Sequence, residues 1–315
     1  MPSETVWLVL LVALALDLAV GDPPNRYHPV AWMGSMIARA RRLAPQDGRW
    51  APCVAGAVLV VGGVVVWGAV GWLLERGFAT LPWPLRWLAE AGVLKTTFAL
   101  RGLVQASQQV QMALDAGNLL HARHLVSWHL VSRDTSQLTA SQVAAATVES
   151  VAENTSDGIV APWFFYVLGG LPAAFAYRFI NTADAMLGYR DPQREWFGKV
   201  PARLDDLVNL VPARLTALYM LLAALFPGTN ARTAWQIWRR DARRPASPNA
   251  GHPMSVMAGA LQVELTKAGV YQLGAGQAPP VARDITRAVH LVYRTVALAL
   301  VVFALGLGIQ AMCCR

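Results

Sequence analysis

At 315 residues the chain is long enough for one or two domains, but 55% hydrophobic residues, 15% charged residues and a mean hydropathy of +0.37 exclude an ordinary soluble domain. The net charge of +8 is spread over loops instead of gathered in one tail. That suits polar segments facing anionic lipid or a phosphate-bearing substrate; no nucleic-acid-binding module is visible and none is expected.

The first predicted element, 6–20, is apolar except for Asp17. No basic n-region precedes it and no small-x-small site lies ahead of Gly21-Asp22-Pro23-Pro24, so it reads as a retained span. Arg26, Arg39, Arg41, Arg42 and Arg49 follow in the 21–50 loop, against no Lys or Arg before the span. This asymmetry places the amino terminus outside and the loop inside. Segment 52–74 is uncharged and long enough to cross a bilayer. The less apolar stretch 88–103 returns the chain as a partial or re-entrant helix. From 104 to 148 the apolar positions follow a helical period, interrupted by the turn signal Asp115-Ala116-Gly117-Asn118, which predicts two or three amphipathic helices.

Segment 159–180 is apolar but contains Pro162, Gly169, Gly170 and Pro172, the pattern of a broken or re-entrant helix lining a polar cavity. The loops 181–205 and 227–288 are both basic, so one of the segments 159–180 and 207–226 need not cross. A last apolar segment covers 289–312. Cys53, Cys313 and Cys314 give neither a disulfide framework nor a metal spacing, as suits polar regions in a reducing compartment. The expected fold is all-α: a polytopic integral membrane protein with about four to five membrane segments, one of them re-entrant, in a single domain, with cytoplasmic helical regions at 104–158 and 227–288.

Four polar clusters carry the chemistry. The first joins Asp17, costly inside an apolar helix unless it reaches water at the helix end, with Asp22 and with His28, which Pro29 holds extended. The second is Ser132-Arg133-Asp134-Thr135, either a helix start capped by Asp134 or Thr135, or a phosphate-binding guanidinium beside a hydroxyl. Beyond it, Glu149 and Glu153 stack one turn apart on a helix face, where like charges repel unless a cation lies between them. With Asn154 and Asp157 they suit Mg²⁺, which takes oxygen ligands and bridges to phosphates; the plainer alternative is a solvated acidic face. The third cluster runs from Asn181 and Asp184 to Arg203, Asp205, Asp206, Asn209 and Arg214, and the fourth is Asn249-Ala250-Gly251-His252-Pro253. Gly92-Val93-Leu94-Lys95-Thr96-Thr97 lacks the spacing of a nucleotide-binding loop.

In order, these clusters resemble the membrane-bound adenosylcobinamide-phosphate synthases of cobalamin biosynthesis. The resemblance is carried by Gly21-Asp22-Pro23, His28-Pro29-Val30 with Gly34, Arg133-Asp134-Thr135, Glu149 to Gly158 with Pro162, Asn181-Thr182-x-Asp184-x-Met186-x-Gly188-Tyr189, and Asp205-Asp206 with Pro212-Ala213-Arg214. The chain departs from the family pattern at Leu265-Thr266-Lys267, ahead of Tyr271. The resemblance implies an ATP-dependent amide ligation. A carboxylate of the corrinoid adenosylcobyric acid is activated and attacked by an aminoalcohol phosphate such as 1-amino-2-propanol phosphate, giving adenosylcobinamide phosphate. In that light Glu149, Glu153, Asn154 and Asp157 would hold Mg²⁺, with Asp184 a catalytic residue near it. Arg133, Thr135, Asn181, Arg203, Arg214 and Asn249 would meet phosphate or corrin carboxylate, and His28 or Asp22 would take the proton from the attacking ammonium.

The resemblance further implies a bacterial inner-membrane enzyme with a cytoplasm-facing site, in contact with membrane lipid. Its expected associates are a second copy of the chain or other late cobalamin-pathway membrane enzymes. A membrane permease or sensor with a polar cavity is the alternative, and a phospholipid-type phosphotransferase a third reading. Placement discriminates: a transporter concentrates polar residues at mid-membrane, whereas these clusters read as loops beside helix ends.

Overall fold

The computed structural model describes residues 3–45, 47–188 and 195–313, with side chains described within 5–307. Tyr189, the 189–194 part of the 181–205 loop, and Cys314 lie outside the described residues. In chain order the helices are α1 (Ser3–Val20), α2 (Pro29–Leu43), α3 (Trp50–Phe78), α4 (Trp83–Lys95), α5 (Leu100–Asp115), α6 (Leu119–His129) and α7 (Ala140–Thr155). A π-helical turn, Ser156–Val160, leads to α8 (Ala161–Leu187), α9 (Glu195–Val208), α10 (Leu210–Ala223), α11 (Ala231–Asp241) and α12 (Gly251–Leu261). A short antiparallel hairpin, β1 (Leu265–Lys267) and β2 (Tyr271–Leu273), precedes α13 (Ala282–Cys313).

Three stretches are long and apolar enough to cross a membrane: Trp50–Phe78, Ala140–Leu187 and Ala282–Leu307. Helices α9 and α10 pass the same test only as a pair, and Thr5–Val20 is a shorter apolar helix. The protein is an all-α polytopic membrane protein.

The described residues divide into two units that interleave in sequence. The first takes residues up to 99, then 161–209 and 303 onward; the second takes 100–160 and 210–302. In the first, α3 packs on α8 and α9, and α1 on α4. Its core joins Met33 and Ile37 of α2, Leu59, Val60 and Trp67 of α3, and Phe175 and Phe179 of α8. In the second, α7 is surrounded by α5, α6, α12 and β1.

Several boundaries follow from local chemistry. The predicted turn ends α5 at Asp115: Gly117 takes φ +70° and the Asn118 side chain accepts the His121 N–H at 3.0 Å, capping α6. Thr139 and Gln142 cap α7 reciprocally, Oγ1 accepting from Gln142 N and Oε1 from Thr139 N. The predicted break in 159–180 falls at Gly169 and Gly170, which leave helical geometry, Gly170 with φ +65°. Across it, Glu75 Oε1 accepts the freed Leu171 N–H at 2.7 Å.

Four expectations need correction. Segment 207–226 is not one helix: α9 and α10 meet at Asn209, because Pro212 has no N–H for the Val208 carbonyl. Helix α7 is not amphipathic; Val143 to Ala152 are buried on every face, the small Ala144, Ala145 and Ala146 admitting neighbours closely. The 88–103 stretch is not one helix: it holds the end of α4, 13 residues and about 20 Å long, and the start of α5 at Leu100. Finally, 227–288 is not wholly helical: Gln262, at φ +58°, ends α12 and the hairpin follows.

Candidate functional site

In the second unit a basic loop is braced against a buried acid. Ser150 Oγ on α7 donates to the Leu130 carbonyl at 2.9 Å, Thr135 Oγ1 donates to the Arg123 carbonyl at 2.8 Å, and Arg123 Nε donates to the Leu138 carbonyl at 2.7 Å. Asp134 accepts from Ser136 N at 2.8 Å, and this hydrogen bond holds its carboxyl below the usual range. So pinned, the loop points Arg133 at α7, where Nη2 lies 3.5 Å from Glu149 Oε2. The partner of Arg133 is therefore Glu149 and not the adjacent Asp134.

Glu149 is 5% exposed, and its Oε1 is buried without a hydrogen-bond donor. Tyr271 donates a hydrogen bond to the Glu149 carboxyl, and Glu153 and Lys267 lie within its electrostatic range. Burial, then the charges of Glu149 and Glu153, push the Tyr271 phenol up, so it stays protonated as a donor. Lys267 stands over the Tyr271 ring with Nζ 6.0 Å from its centroid. One turn beyond Glu149, Asn154 Nδ2 donates to the Ser150 carbonyl at 2.9 Å, which leaves its oxygen for a ligand. Asp157 sits in the π-helical turn.

Among the described residues no three His, Cys, Asp or Glu side chains form a ready metal site. The donor set still fits Mg²⁺: an unsatisfied carboxylate oxygen on Glu149 beside Glu153 offers two hard oxygens, and Mg²⁺ usually keeps waters and substrate phosphates for the rest.

The same unit holds Arg214 and Asn249 together, Nη1 to Oδ1 3.4 Å, with Arg214 also donating to the Leu210 carbonyl at 2.7 Å. Beside them His252 accepts from Trp238 Nε1 at 3.0 Å. Burial, then the charges of Arg214 and Arg243, lower its pKa to about 4, so it is neutral at physiological pH.

In the first unit a second ionic cluster surrounds Lys95. Its Nζ lies 2.5 Å from Asp22 Oδ1 and 3.8 Å from Asp17 Oδ1. His28 caps α2, Nδ1 accepting from Val30 N at 3.2 Å, which puts the proton of the neutral ring on Nε2, 3.5 Å from Asp22. Burial raises the Asp22 pKa, but the hydrogen bonds and charges of His28 and Lys95 outweigh it and the net shift is downward. Asp22 is thus a poor base here, and His28 presents a donor.

Also in this unit, Asp205 accepts from Asn181 Nδ2 at 3.3 Å and Asn209 Nδ2 at 2.9 Å, and Tyr177 donates to Asn209 Oδ1 at 2.9 Å. Asp184 and Asp206 lie in electrostatic range of Asp205, and Arg203 is exposed on α9. Asn181 and Asp184 belong to α8, and Arg203 and Asp205 to α9. These residues are intrahelical, so placement in loops no longer separates an enzyme from a permease.

A profile of the CobD/Cbib protein family matches residues 10–297. The chain belongs to the CobD/Cbib family. It is 39% identical over 312 residues to the cobalamin biosynthesis protein CobD of Klebsiella pneumoniae, covering 94% of this chain and 96% of that one. The proteins of the same name from Geobacter metallireducens and Dehalococcoides mccartyi are 42% identical over 268 residues and 40% over 274, covering 84% and 85% of this chain and 82% and 87% of theirs. No solved structure matches the chain.

Against the residues singled out from sequence, this family member adds Lys95, Lys267 and Tyr271. Lys95 stands in a stretch that resembles a nucleotide loop and fails its spacing. Lys267 and Tyr271 fall where the family resemblance weakens, and only the hairpin brings them to Glu149.

Proposed function

We propose that this chain acts in cobalamin biosynthesis as an ATP-dependent ligase joining adenosylcobyric acid to an aminoalcohol phosphate such as 1-amino-2-propanol phosphate, with adenosylcobinamide phosphate as product. Family membership supports the pathway. For the chemistry, the supporting observation is the buried Glu149, one oxygen paired with Arg133 and the other without a donor.

A carboxylate becomes an acyl donor only after its oxygen is activated, so the site must hold a polyphosphate beside it and stabilise developing negative charge. Glu149 and Glu153, with the Asn154 oxygen, would hold Mg²⁺, which when bound neutralises polyphosphate charge. Arg133 and Lys267 supply fixed positive charge, the Arg fork being suited to phosphate or carboxylate. The protonated Tyr271 donates to the Glu149 carboxyl and helps to hold it. Arg214 with Asn249 offers a further anion contact.

The test incubates membranes carrying the chain with adenosylcobyric acid, ATP, Mg²⁺ and 1-amino-2-propanol phosphate, and follows corrinoid and nucleotide by mass spectrometry. Product with ADP indicates an acyl phosphate, and product with AMP an acyl adenylate. Intact protein that forms no product overturns the proposal. The proposed cytoplasmic face predicts that single cysteines beside His28 and Arg133 resist an impermeant thiol reagent in whole cells and react after lysis.

A further inference from the structure

Helix α3 has two faces. At Gly56, Gly63 and Gly71 an added Cβ would collide with the Phe197 carbonyl, the Phe179 ring and the Leu171 backbone, so this face lies flush on α8 and α9. On the other face Trp50, Val54, Val58, Val65 and Trp72 are exposed, Trp50 by 83% and Val58 by 67%. An apolar stripe of this kind on a spanning helix faces lipid. Its end tryptophans, 22 residues apart at about 1.5 Å per residue, stand about 33 Å apart, the thickness of a hydrocarbon core, and tryptophan concentrates at its two boundaries. Trp50 therefore marks headgroup depth.

At that depth two cations share one indole. Arg49 Cζ lies 5.3 Å from the Trp196 ring centroid and Lys199 Nζ 4.1 Å from it. Both within reach of one ring, they are closer than the screening length of about 10 Å and repel each other. The nearest acids in sequence, Asp47 and Glu195, form no ion pair with them among the described residues. Gly56 fixes the arrangement by letting the Phe197 backbone onto α3. The opposite end of the stripe differs: Arg76 stands over Trp72, and Arg86 lies 4.0 Å from Glu90 and lines one pocket with Glu75, so acids accompany the cations.

We propose that Arg49 and Lys199, both within reach of the Trp196 ring, bind the phosphate of an anionic phospholipid headgroup. An anion between them relieves their repulsion, while the acyl chains lie along the Trp50 to Val65 stripe.

The experiment purifies the full chain in phosphatidylcholine nanodiscs, adds phosphatidylglycerol, and measures retained lipid by native mass spectrometry alongside thermal midpoint. Phosphatidylglycerol, and neither phosphatidylcholine nor inorganic phosphate, should remain bound and raise the midpoint. Arg49→Gln and Lys199→Gln should each weaken retention about fivefold, at about 1 kcal/mol per basic group near a membrane surface. The charge-keeping pair Arg49→Lys with Lys199→Arg should retain the lipid, and so should Arg76→Gln. Retention equal to the parent's in both Gln variants, a loss of about fivefold in Arg76→Gln, or displacement by inorganic phosphate would each overturn the site. So would loss of retention in the charge-keeping pair while its midpoint in phosphatidylcholine is unchanged.

Discussion

Around Lys95 two carboxylates converge on a single ammonium, Asp22 at hydrogen-bond distance and Asp17 at 3.8 Å, and His28 faces Asp22, whereas around Glu149 one oxygen meets Arg133 and Oε1 has no cation or donor against it. Both clusters bury charge, which is costly in a low-dielectric interior. The Lys95 cluster lowers that cost internally and so resembles a structural tie. The Glu149 cluster leaves part of the cost outstanding, the condition expected of a site whose remaining partner is a ligand.

The comparison breaks first at Lys95. Lys95→Met strips two acids of their cation and should destabilise the protein by about 3–5 kcal/mol, read as a fall in thermal midpoint in detergent; a stable but inactive variant would make Lys95 catalytic. On the other side, Arg133→Lys keeps the charge and loses the planar fork, and should cost about 1.5–3 kcal/mol of transition-state stabilisation, about 10- to 150-fold in kcat/KM, with the midpoint unchanged. Wild-type turnover would leave Arg133 only a local charge. Glu153→Gln should raise the Mg²⁺ concentration for half-activity about tenfold; unfolding without a change in Mg²⁺ dependence would make the two clusters alike.

The smallest effect concerns pH. Asp22 has a folded pKa below its ordinary value, so its stabilisation is present above about pH 4 and is lost as pH falls through the lower folded value. With the carboxyl partly exposed, the contribution should stay under about 1 kcal/mol. Acid titration of thermal stability should be flatter below pH 4 in Asp22→Asn than in the parent, and identical slopes would remove Asp22 from the tie.

The class of fold was legible because uncharged runs of about 20 residues have few other uses, and the turn at Asp115 to Asn118 because Gly and Asn have specific conformational roles there. Helix α7 was misread as amphipathic because alanine and serine carry too little hydrophobic contrast to reveal burial on every side. Asn181, Asp184 and Asp205 looked like loop residues because polar side chains inside buried helices are recognisable only once their partners are known. In the site, Glu149 and Arg133 stood out by residue type. Their pairing did not, since it depends on Thr135 and Ser150 pinning the loop, and Tyr271 needed a hairpin too short to carry an alternating pattern.

The flush face of α3 constrains how this protein can change its length. One residue inserted between Gly63 and Gly71 turns everything beyond it by about 100°, swinging Gly71 away from Leu171 and carrying Glu75 off the amide it accepts. Point changes among the outward valines leave that meshing untouched. Variation in this helix is therefore expected as exchanges of one apolar side chain for another, with gains and losses of residues confined to the loops at its two ends.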